Sequence, residues 1–73
     1  MSKLNAPELK SLIARTGVTN RFIAKQLGIS EQALNNKVKG ASEFKSSEIK
    51  ILAGILGLSM SDVNYIFFDS IVN

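Results

Sequence analysis

Helix-starting and helix-stopping residues recur along this sequence at intervals that leave room only for short helices. Asn5 stands before Ala6, Pro7 and Glu8, a capping residue followed by a proline tolerated in the first turn and an acid three positions on. Leu9, Leu12 and Ile13 follow at helical spacing, with Arg15 before Gly17 as the stop. Thr19 caps a second segment whose inner face is Ile23, Ala24 and Leu27, closed by Gly28. Ser30 caps a third, from Glu31 to about Lys39, with Leu34 and Val38 one turn apart and Gly40 ending it. Ser46 or Ser47 opens a fourth through Ile49, Leu52, Ala53 and Leu56 to Gly57, with Ile51 and Ile55 widening its apolar face as in a central core helix. Ser59 or Ser61, followed by Asp62, opens a fifth with Val63, Ile66 and Phe67 as its stripe. No segment alternates as a strand does. The expectation is an all-α fold of five helices, without linker, internal repeat or low-complexity tract.

The 73 residues provide for one domain, residues 1–73, and the 45% hydrophobic content supplies a core for it. Cysteine and histidine are absent. That excludes disulfides and Cys/His metal sites, and it removes the common general base and the thiol nucleophile. The carboxylates are scattered, with no evident pair on one face, so neither an enzyme nor a cofactor is expected. The start of the chain lacks the pattern of a secretory signal. The most apolar stretch, residues 49–60, is interrupted by Lys50, Gly54 and Gly57 and is too short to span a bilayer. No membrane association and a cytoplasmic location are expected.

Charge is unevenly placed. Eight cations (Lys10, Arg15, Arg21, Lys25, Lys37, Lys39, Lys45, Lys50) and three anions (Glu31, Glu43, Glu48) lie between residues 10 and 50, a local surplus of five against a whole-chain net of +3. A basic middle beside an acidic end suits a surface that meets a polyanion on one side, although ordinary solvated charge gives the same count.

Residues 19–40 carry the most information. Ala24 is small where a third helix would cross the second, and Gly28 can reverse the chain with a positive φ. Ile29 would plug the corner, and Leu34 would pack back onto Ile23 and Leu27. That spacing is the packing code of a helix-turn-helix, which projects its second helix into a major groove. The outward residues of that helix would be Ser30, Glu31, Gln32, Asn35, Asn36 and Lys39. Asn and Gln can hydrogen-bond an adenine edge bidentately, so Gln32, Asn35, Asn36 and Glu31 are the candidate base readers. Asn20, Arg21, Ser30, Lys37 and Lys39 are the candidate phosphate contacts. Solvent exposure of polar groups, and complementing the helix dipole in the case of the lysines, are the bland alternatives.

Leu27-Gly-Ile-Ser30, then Leu34-Asn-Asn-Lys-Val-Lys-Gly40, then Glu43-Phe44 and Glu48-Ile49, resemble the lambda-repressor-like helix-turn-helix proteins of temperate phages. The resemblance runs over about residues 9–67. It is nearest to Cro-type or modulator-of-repression proteins from phages of low-GC Gram-positive bacteria. It implies a five-helix DNA-binding domain with residues 31–39 as recognition helix, and a part in the lysis–lysogeny decision. Two positions depart from the pattern. Lys37 falls where many members bury an apolar residue, so its stem is expected to pack along the surface. Phe22 lies on a usually polar face, where it either folds back onto the first helix or stands out as an anchor for a protein partner.

Two functions follow. In the first, the chain is a transcription regulator that binds double-stranded operator DNA, with about four phosphates neutralised and a log–log salt slope near −3.6. It would act as a homodimer on a palindromic site, with Ile66, Phe67, Phe68, Ile71 and Val72 as the dimer surface, unless Ile66 and Phe67 belong to the core. In the second, it is an antirepressor that docks onto the cognate phage repressor's DNA-binding domain, with Phe22 and Phe68 as partner contacts.

Overall fold

The computed structural model describes residues 4–68, and among them it is all-helical, with no strand. Its five helices are α1 (Ala6–Thr16), α2 (Asn20–Leu27), α3 (Glu31–Val38), α4 (Ser46–Leu56) and α5 (Met60–Phe67). Four begin on an oxygen-bearing side chain that takes up an orphan amide. Asn5, Thr19, Ser30 and Ser59 accept from the N–H groups of Glu8, Phe22, Ala33 and Asp62. Each such cap is worth about 1 kcal/mol.

α4 starts differently from expectation. Its cap is Lys45, not Ser46 or Ser47, and the Lys45 side chain supplies no capping bond. Glu48, three residues in, reaches back instead, and its Oε1 accepts from the Lys45 N–H at 2.8 Å. The carboxylate sits in the first turn, where the helix dipole also favours it.

Each helix contributes two buried apolar side chains to one core: Leu9 and Ile13, Ile23 and Ala24, Leu34 and Val38, Leu52 and Leu56, Ile66 and Phe67. Leu27, Ile29 and Val63 pack against it from part-buried positions. α2 lies on α3 and α4, while α1 touches α3, α4 and α5. The start of α1 is tied to the end of α5 by the Asn5 N–H, which donates to the Ile66 carbonyl at 2.6 Å. α4 is less enclosed than its sequence suggests. Ile55 is half-buried, but Ile51 is exposed, because neighbours cover only the Leu52–Leu56 side.

No helix among the described residues is long and apolar enough to cross a membrane.

Candidate recognition face on α2 and α3

Residues 28–30 join α2 to α3. Gly28 takes φ +71° and ψ +31°, a left-handed conformation that side-chain-bearing residues adopt at a cost. Its N–H donates to the Lys25 carbonyl, and the next amide, Ile29 N–H, donates to the Ala24 carbonyl at 3.0 Å. These two bonds close the helix in a Schellman arrangement, with Ile29 folded toward the core. Ser30 then caps α3 at once, so the chain turns within three residues.

Leu34 and Val38 hold α3 to the core, and its other side faces solvent. Glu31, Gln32, Asn35 and Lys39 are exposed, and Asn36 is half-buried. The Asn36 carbonyl accepts from the amides of both Ala41 and Ser42, which folds the chain under the end of α3. Ser30 is exposed, and its Oγ accepts the Ala33 N–H. Asn20 and Arg21 are exposed at the start of α2. Asn20 Nδ2 lies 3.5 Å from Asn35 Oδ1, so the two amides meet across the helix pair. They line a concavity together with Lys10, Ile13, Ala14, Val38 and Lys39. Lys10 was not among the sequence candidates. Its place on α1, one residue after buried Leu9, points it outward, but nothing local shows that it borders α3.

Lys37 differs from expectation, and Phe22 takes one of its two expected places. Lys37 is not a surface cation with only its stem packed. Its side chain is 12% exposed, and Nζ is 2.9 Å from Glu48 Oε1 and 3.0 Å from the Glu43 carbonyl oxygen. The ammonium is thus neutralised inside the fold, and it drops out of the exposed set that could meet phosphate. Burial works to raise the Glu48 pKa, but the Lys45 amide and the Lys37 ammonium outweigh it, and the carboxyl is held below its usual value. Phe22 stands out from α2. It is 46% exposed and is not among the side chains packed on the core.

Phe68 is partly exposed at the end of α5. It borders an apolar groove with Ile49, Ala53, Leu58, Met60 and Val63. Of the residues expected to form a dimer surface, Ile66 and Phe67 are buried in the core, which removes them from it. Ile71 and Val72 lie outside the described residues. Among the described residues no cluster of three or more acidic, His or Cys side chains could hold a metal ion.

No protein-family model matches the chain, and neither the curated proteins nor the solved structures include a significant match.

Proposed function

We propose that the chain is a small regulator of a phage-type genetic switch. It acts by docking its α2–α3 face onto the DNA-binding domain of a helix-turn-helix repressor, as an antirepressor. The observation that carries this reading is Phe22, a large aromatic that stands 46% exposed at the start of α2, outside the buried core. An exposed ring gains nothing from a phosphate backbone, whereas aromatic anchors dominate protein interfaces. Two electrostatic features point the same way. Lys37 is spent on Glu48, and exposed Glu31 places a negative charge at the tip of α3, where a phosphate would otherwise meet the helix N-terminus. The particular partner comes from the family resemblance. Exposed Gln32 and Asn35 supply directional hydrogen bonds to it.

Operator DNA is the second reading, supported by the same Gln32 and Asn35 beside exposed Arg21 and Lys39. With Lys37 neutralised, Arg21 and Lys39 are the cations left in the candidate set, and the salt slope becomes about −1.8.

One experiment separates the two. The purified chain is mixed with labelled operator DNA, and separately with the repressor encoded beside it. Docking onto the repressor predicts no shift by the chain alone, a stable complex with the repressor, and about tenfold or greater weakening of that complex by Phe22→Ala. A salt-sensitive shift by the chain alone, unchanged by Phe22→Ala and lost on Gln32→Ala with Asn35→Ala, establishes DNA as the target.

A further inference from the structure

The Lys37–Glu48 pair enters both readings only as a cation withdrawn from the surface, yet it is the most enclosed polar contact among the described residues. The two side chains are 12% and 7% exposed. Lys37 Nζ bonds Glu48 Oε1 and the Glu43 carbonyl, and Glu48 Oε1 also accepts the Lys45 N–H. Nζ lies 5.9 Å from the centre of the Phe44 ring, which meets Phe67 of α5 edge-on with centroids 5.5 Å apart. One ammonium thus connects the last turn of α3, the 39–45 loop and the first turn of α4, and it abuts an aromatic pair that reaches α5.

The geometry of α3 makes this connection informative. The helix has eight residues and only two buried side chains, Leu34 and Val38. Apolar contact resists separation but is not directional, so a two-residue stripe leaves the rotation of a short helix loosely specified. At about 100° per residue, Val38 lies about 40° to one side of Leu34 and Lys37 about 60° to the other. Lys37 therefore braces the flank that Val38 does not reach, through bonds whose direction is fixed.

Enclosed ion pairs contribute little net stability compared with apolar residues of the same size, but they are strict about geometry. We propose that Lys37 and Glu48 are positioning residues. They set the rotation of α3 about its own axis, and so which side chains it presents, while adding little to global stability. This holds whichever macromolecule α3 meets.

The test uses the full chain and the variants Lys37→Met, Glu48→Leu and their double, read by urea unfolding and by amide NMR with hydrogen exchange. The double variant should unfold within about 0.5 M urea of the parent, while Lys37→Met alone, which strands Glu48, unfolds earlier. In the double variant the amides of residues 31–45 should shift or broaden and lose about tenfold or more of their exchange protection. Those of α1 and the centre of α4 should stay unchanged. Lys37→Arg, which keeps the cation and its donors, should restore the parent pattern. The proposal is overturned if the double variant keeps the parent α3 spectrum. It is overturned equally if that variant loses at least as much stability as Lys37→Met or fails to fold, since the pair would then be a stability element.

Discussion

The α2–α3 and α4–α5 connections use the same chemistry for different ends. Ala24, Leu27, Gly28, Ile29 and Ser30 have their counterparts in Ala53, Leu56, Gly57, Leu58 and Ser59. The backbone repeats too. Gly57 takes φ +68° and ψ +37°, the Leu58 N–H donates to the Ala53 carbonyl at 2.9 Å, and Ser59 caps the next helix. This short internal echo is missed when the chain is searched for longer repeats. What differs is the cargo. α3 presents Glu31, Gln32 and Asn35, with Lys39 just after it, whereas α5 adds to its exposed Ser61, Asp62 and Asn64 the larger Met60, 76% exposed, and Tyr65. The turn is therefore a way of joining two helices, and its presence says little about a target. The target is specified by what the second helix displays.

Substitutions at matched positions can break or sharpen this comparison. The largest effect is expected at the alanines. Ala24 is buried, so Ala24→Leu must push α2 away from the helices packed on it and should cost about 3 kcal/mol. Ala53 borders an open groove, and Ala53→Leu should cost under about 1 kcal/mol. Urea midpoints of the two variants compare them directly, and equal losses would show that the two crossings are equally tight. Gly28→Ala and Gly57→Ala come next. A Cβ would meet nothing within 4 Å at either site, so only the positive φ is penalised. Both should lose about 1–2 kcal/mol in thermal melts, and by the same amount.

Smaller still are the caps. Ser30→Ala should lose about 1 kcal/mol. Ser59→Ala should lose no more than that, because Asp62 keeps its bond to the backbone N–H of position 59 and only the hydroxyl's bond goes. The smallest effect concerns pH, at the junction of the two units. The folded Glu48 carboxyl sits below its usual value, so its contribution is complete above about pH 4.5 and is lost as pH falls through the folded pKa. Midpoints measured from pH 7 down to 3 should decline in the parent by no more than one proton's slope, and Glu48→Gln should flatten that part of the curve.

The helices were legible in the sequence because their signals are local. Asn5, Thr19, Ser30 and Ser59 cap through neighbours three residues away, and Gly17, Gly28 and Gly57 stop helices by their own φ. The surprises depend wholly or partly on more distant chain. Glu48 takes over the start of α4 while it also meets Lys37, and no rule about serines before a helix anticipates that double duty. The enclosure of Lys37 requires Glu43, Phe44 and Glu48 to close over it. The exposure of Ile51 depends on which side of α4 its neighbours cover, and its own turn of sequence does not carry that. The outward set on α3 was readable from period alone, since Leu34 and Val38 fix which side faces in. Its neighbour Lys10 belongs to a different helix and was not.

The bond from the Asn5 amide to the Ile66 carbonyl makes a single proton a gauge for the junction of α1 and α5. That amide lies outside every helical ladder and is held only while the two extremes of the described chain are docked. It exchanges with solvent when the start of α1 parts from the end of α5, whether by local fraying of either or by opening of the core. One resonance can thus separate a variant that loosens α3 alone from one that lets the ring of helices come apart.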